Sequence, residues 1–176
     1  MYGFTPAFFT YPGATTKVWL TTSAGLPALQ AADAQDLYIC ALGINDHAQS
    51  YTIGTTADMD DDTADSFYGS YGKIIRAIKT KAPYAKIAVA TVPDYNASVN
   101  VSAYSTAIRN IASHFEIGLL DLDKSEFFNS DVFKNDRQWN HLTAVGYAGM
   151  AKAVNDMIAD DFVTNRNYWK YSMMQV

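Results

Sequence analysis

From Asp36 onward the apolar and polar positions alternate between two periods. Asp36–Leu42 is a short unbroken apolar run, the pattern of a strand covered on both faces. After a polar stretch from Asp46 to Asp62, with Gly54, Thr55 and Thr56 arguing against regular structure, the period lengthens. Across Ala64–Lys79, Phe67, Tyr68, Tyr71, Ile74, Ile75 and Ile78 share one helical stripe. Ala85–Val92 is a second apolar run, halted by Pro93, and Val101, Tyr104, Ile108, Ile111 and Phe115 return to steps of three and four. Ile117–Leu122 predicts a third strand. An aromatic loop, Phe127–Trp139, then leads to a last helix, capped by Thr143 with Val145, Met150, Val154, Met157 and Ile158 as its buried stripe. Ahead of all these, Ala7–Tyr11 is strand-like.

Strands alternating with helices predict an α/β architecture, a parallel sheet sandwiched by helices. In such sheets ligands bind beyond the carboxyl ends of the strands. The pattern puts Asn45 at the carboxyl end of its strand and His141 after the last strand, the side where chemistry is expected.

The length of 176 residues fits one domain, expected over 1–164, with 165–176 as an aromatic tail carrying Tyr168, Trp169 and Tyr171. A net charge of −5 repels a phosphate backbone, which argues against nucleic acid as a partner. No apolar run approaches the ~20 residues of a membrane span. Met1–Tyr11 holds no Lys or Arg and contains Pro6, unlike the start of a secretion signal. The single cysteine, Cys40, lies inside an apolar run and is expected to be an inert buried hydrophobe. The acidic run Asp58–Asp65 fits a solvated helix start better than a cation site. No His, Cys and Asp spacing suits a metal, and no Gly-rich phosphate loop follows a strand, so neither a metal nor a nucleotide cofactor is expected. His47 and His114 are expected at the surface or in packing.

Two short stretches carry the candidate chemistry. Gly43-Ile44-Asn45-Asp46 closes the first apolar run, and His141-Leu142-Thr143 opens the helix containing Gly146 and Tyr147. An amide can hold an oxyanion and an imidazole can move a proton, the two services ester hydrolysis needs. Upstream, Gly13-Ala14-Thr15-Thr16 follows the strand-like Ala7–Tyr11. Together these blocks resemble the SGNH (GDSL-type) hydrolases, in tone closest to domains of phage tails and carbohydrate esterases. The resemblance implies a three-layer α/β/α sandwich with a parallel, flavodoxin-like sheet. It also implies an oxyanion hole from the Asn45 side chain and the Gly13 backbone N–H, with His141 as general base toward a serine.

Two departures from the family pattern alter that expectation. Gln138 stands where the family has the acid three residues before its histidine, and Asp136 is the nearby carboxylate able to substitute. No serine lies among the residues before Gly13, where the family carries Gly-Asp-Ser on its first strand. Ser23 lacks the first Gly of a nucleophile elbow, and Ser50 lies in a loop without a strained turn to present it. The first strand and helix of the family are therefore expected to be missing from this chain, which leaves the strand ending at Leu42 without a neighbour. A complementing N-terminal segment or partner chain would supply the serine, and an acylated carbohydrate is the expected substrate. The rival expectation is a catalytically inactive binding or structural module. A virion-associated or extracellular location is suspected.

Overall fold

The computed structural model describes residues 5–94, 100–138 and 141–164. A three-stranded parallel sheet, in the order β1 (Leu37–Cys40), β2 (Lys86–Ala90), β3 (Gly118–Leu120), lies between two layers of helices. This is the α/β/α sandwich with a parallel sheet that the pattern predicts. In the register Tyr38 faces Ile87 and Cys40 faces Val89 across β1 and β2, while Ala88 faces Gly118 and Ala90 faces Leu120 across β2 and β3. Successive side chains alternate faces, so the sheet builds two cores. Tyr38, Ile87 and Val89 join one core, with Tyr71, Ile74, Ile75, Ile78, Ile108 and Ile111 from the long helices Phe67–Lys81 and Ser102–Phe115. Ala88, Ala90 and Leu120 join the other, beneath Met150, Ala153, Val154, Met157 and Ile158 of the helix Ala144–Thr164.

In chain order the helices are α1 (Thr16–Thr21), α2 (Leu26–Ala31), α3 (Ile44–Ala48), α4 (Phe67–Lys81), α5 (Ser102–Phe115), α6 (Glu126–Asn129), α7 (Asp131–Asn135) and α8 (Ala144–Thr164). A two-stranded antiparallel ladder, β4 (Arg137–Gln138) and β5 (His141–Leu142), precedes α8. Helix α4 starts at Phe67, three residues later than the stripe alone suggests. The reason is a cap: Ser66 Oγ accepts from Gly69 N at 3.1 Å and itself donates to Asp58 at 2.6 Å.

Several expectations change. Ala7–Tyr11 is not a strand. Pro6 and Pro12 bracket it, and its fixed point is Phe9 O, which accepts from Trp19 Nε1 at 2.7 Å, so α1 holds it rather than the sheet. The polar stretch after Asp46 contains the end of α3 and a 3-10 turn, Thr56–Asp60. The aromatic loop contains α6 and α7, started by Ser125 and Ser130, and its Phe127, Phe128 and Phe133 pack edge to face. The acidic run is used locally. Asp58 accepts from Thr55 and Ser66, Asp61 from Thr63, Asp62 meets Arg76, Asp60 meets His114, and Asp65 meets Lys17 and Tyr51. Burial pushes the Cys40 thiol up to about 12, so it stays protonated at neutral pH.

Strand β1 lies at an edge. Asp36 O accepts from Lys86 N at 2.8 Å, so by alternation Asp36, Tyr38 and Cys40 aim their main-chain groups at β2, and Leu37 and Ile39 aim theirs outward. Among the described residues no backbone partner meets that outer row. The Ile39 side chain is 44% exposed, although it belongs to the face that α8 covers farther along the sheet. At the carboxyl end of β1 the Tyr71 hydroxyl, fully buried, donates to Cys40 O at 3.3 Å and accepts from Leu42 N at 3.4 Å. Among the described residues no helix is long and apolar enough to cross a membrane. The segment 165–176, with its aromatic residues, lies outside the described residues, as do Trp139 and Asn140.

Candidate functional site

Two glycines set the backbone where β1 ends. Tyr11-Pro12-Gly13-Ala14 is a turn closed by Ala14 N donating to Tyr11 O at 3.2 Å, with Gly13 at φ +73° behind a proline. That is the type II pattern, in which the third position needs a positive φ. Gly43 has φ +132°, and a Cβ there would sit 2.7 Å from Val92 Cγ2. Gly43 therefore lets the chain turn from β1 into α3 hard against the end of β2, which brings Asn45 and Asp46 to the carboxyl side of the sheet.

Helix α3 is fastened onto the Gly13 turn. Asp46, fully buried, accepts from Thr16 N at 3.0 and 3.2 Å and from Thr16 Oγ1 at 2.6 Å. Asn45 Nδ2 donates to Ala14 O at 3.0 Å, and Gln49 Nε2 to Gly13 O at 3.5 Å. From the other side the Tyr104 hydroxyl donates to Asp46 O at 3.3 Å. Burial raises the Asp46 carboxyl above the usual range, with the bonds from Thr16 working against that rise. An amide nitrogen carries two N–H groups, so one can anchor Asn45 to Ala14 while the other serves a second acceptor. The structure thus brings Gly13 and Asn45 together. Thr16, which holds Asp46, stands within the block Gly13-Ala14-Thr15-Thr16 read from the sequence, whereas Gln49, which holds Gly13, and Tyr104, which holds the Asp46 carbonyl, belong to no such block.

His141 stands on β5, exposed, directly across the ladder from Gln138. Its neighbour Leu142 is buried in the core that includes Ala90 and Leu120, the last residues of β2 and β3. Thr143 caps α8 as expected, accepting from Gly146 N at 3.3 Å through Oγ1 and from Tyr147 N at 2.9 Å through its carbonyl. Thr143 Oγ1 also donates to Asp136 Oδ2 at 2.6 Å, and Thr143 N to Asp136 O at 3.1 Å. That oxygen of Asp136 is engaged at the head of α8 rather than by the His141 ring. No hydrogen bond among the described residues joins the Gly13–Asn45 half to the His141 half.

The remaining candidates resolve simply. Ser23 is exposed in the turn between α1 and α2, with no strand before it. Ser50 differs from expectation: it has φ +53°. Tyr51 N donates to Asp46 O at 2.8 Å and Ser50 N to His47 O at 2.9 Å, the double closure of a Schellman motif with serine in the usual glycine place. Its left-handed backbone ends a helix. His47 packs edge-on to Tyr104 with ring centroids 5.8 Å apart, and His114 Nε2 lies 3.1 Å from Asp60. Among the described residues no group of three or more His, Cys, Asp or Glu could hold a metal ion.

Comparison with known proteins adds to this geometry. The profile of the GDSL-like lipase/acylhydrolase family matches residues 3–148. A possible lipase from Chitinophaga pinensis DSM 2588 is similar in structure, with a TM-score of 0.57 and 22% identity over 66% of this chain and 51% of that one. A protein provisionally described as a GDSL-like lipase, from Bacteroides uniformis ATCC 8492, gives 0.55 and 22% over 72% of this chain and 54% of that one. A third solved structure gives 0.61 at 20% identity, covering 77% of this chain and 69% of the other. The chain spans about half the length of the first and second of these, and likeness at this level of identity speaks to the fold. No protein of curated function matches.

Proposed function

The chain belongs to the GDSL-like lipase/acylhydrolase family, and from that premise we propose that it forms the oxyanion and base half of a serine esterase. The single observation carrying this reading is the fastening of α3 to the Gly13 turn, which holds the Asn45 amide beside the Gly13 backbone. Asn45 Nδ2 and Gly13 N–H would donate to the developing oxyanion, and loss of one such donor costs about 10²–10³ in rate. His141 would take the proton of the serine hydroxyl and return it to the leaving alcohol, with Asp136 or Gln138 orienting its ring. The serine would arrive on an extended segment, from a longer precursor or a partner chain, pairing along the outer edge of β1. The unpartnered outer row of Leu37 and Ile39 supports that position.

For substrate we propose O-acetyl groups on a polysaccharide, with the chain acting on a virion or outside the cell. Support comes from the resemblance to carbohydrate-esterase and phage-tail domains. A second reading has one specific observation behind it: Asp136 spends one carboxylate oxygen on Thr143, and a domain whose His141 draws no carboxylate would bind or build without catalysis.

A fluorophosphonate probe applied to the natural assembly tests both. Labelling of a serine, lost in His141→Ala, is the expected result. An assembly that is folded and unlabelled, with His141→Ala indistinguishable from the parent, overturns the esterase reading and leaves the binding module.

A further inference from the structure

Beyond their carboxyl ends the three sheet strands go separate ways. β1 leads into α3 and Asn45, β2 into Val92 and Pro93, and β3 into the stretch that reaches His141. One helix holds all three. Tyr104, Ser105, Ile108 and Arg109 share a face of α5, and its three polar members each grip a different strand end.

The Tyr104 hydroxyl donates to Tyr51 O and to Asp46 O, the latter at 3.3 Å, where α3 runs out of partners of its own. Five residues make barely one helical turn, so α3 keeps its angle only while other elements hold it. Ser105 Oγ, fully buried, donates to Val92 O at 2.7 Å and accepts from Val92 N at 3.2 Å. Val92 is the residue against which Gly43 turns. Arg109 donates to Asp121 Oδ1 through Nη2 at 2.7 Å and Nε at 3.1 Å, and Nη2 also reaches Asp123. The Asp123 carboxylate accepts from Thr91 Oγ1 at 3.0 Å, and its carbonyl from Asn129 Nδ2 of α6 at 2.9 Å. Phe128 of α6 packs in the core that holds Leu142, the neighbour of His141.

We infer that α5 aligns the two halves of the candidate site, with Tyr104 and Arg109 as positioning residues, Tyr104 acting through α3 and Arg109 through the β3 end and α6. The inference rests on the proposed reading of Asn45 and His141. Oxyanion donors and base must converge on one reacting carbon, where a misplacement of about 1 Å costs on the order of 10²-fold in rate. Among the described residues the two halves share no hydrogen bond, whereas α5 bonds to the supports of both. Its own ladder keeps Tyr104 and Arg109 about 7.5 Å apart along the axis, a stiff separation that two loops could not maintain.

The test has two arms. In the full isotope-labelled chain, nuclear magnetic resonance follows the Asn45 side-chain amide, assigned from Asn45→Asp, and the His141 ring, assigned from His141→Gln. Tyr104→Phe keeps the ring and removes the hydroxyl; it is expected to move the His141 signals as well as those of Asn45. Arg109→Gln is expected to move the Asn45 amide as well as His141. Movement confined to the nearer half in both variants overturns the inference. Arg109→Lys, which keeps the charge and loses the fork, replaces Arg109→Gln should that variant not fold. In the natural assembly the fluorophosphonate labelling rate should fall about tenfold in each variant. The double variant should lose clearly less than the product, because an alignment already lost cannot be lost again. Rates equal to the parent's, or losses that multiply, also overturn the inference. A parent assembly that resists the probe, with the movement across halves intact, ends the esterase reading and leaves α5 as the element that aligns them.

Discussion

Asp46 shows what one side chain does for this site. Its carboxylate is buried, yet it holds the start of α1 through Thr16. Because its folded pKa is raised, the folded state keeps the proton at pH values where the unfolded chain has lost it. The stability this contributes is full below the ordinary carboxylate value and is lost as pH rises through the raised one. Asp46→Asn has no proton to lose, so its stability relative to the parent should improve across that window as pH rises; urea unfolding at a series of pH values checks it. Parallel curves would mean that burial does not govern this group. At Ser50 the left-handed backbone costs a non-glycine residue about 1 kcal/mol. Ser50→Gly should therefore raise unfolding stability by roughly 0.5–1 kcal/mol in a thermal melt. The placement of Gly13 in a turn and of Asn45 beyond a strand was legible in the sequence because a turn glycine and an amide after a strand leave short, ordered patterns. The bonds made by Thr16, Gln49 and Tyr71 were not. Thr16 bonds to Asp46 across 30 positions, Gln49 to Gly13 across 36 and Tyr71 to Cys40 across 31, and no local period records such meetings.

Among the elements, α8 bears the most on the proposed base, since its cap ties Thr143, two residues after His141, to Asp136. Thr143 serves Gly146 N, Tyr147 N and the Asp136 carboxylate at once. Thr143→Ala should cost about 1–2 kcal/mol and speed amide exchange at Gly146 before the rest of the helix. Equal protection at Gly146 in the parent and the variant would show that the cap is idle. The three sheet strands and the three long helices were legible because each repeats its period several times. The short helices α3, α6 and α7 were not, since four or five residues complete barely one turn and their starts rest on glycine or serine caps. Ala7–Tyr11 misled for a different reason: β-propensity makes a strand only where a neighbour offers a ladder, and Trp19 claimed Phe9 O instead.

Across the whole molecule the order of elements decided the layers, and burial on both sheet faces followed from apolar runs too continuous to leave one face wet. The open edge at β1 was an expectation of the family resemblance and not of the hydrophobic period, because edges are settled by who stands beside whom. The order β1-β2-β3 means each new strand joins the outer side of the one before it, so the sheet grows in a single direction. The outer edge of β1 is therefore left untouched as β2 and β3 are added on the other side. Any segment that pairs there needs no gap opened between strands already joined.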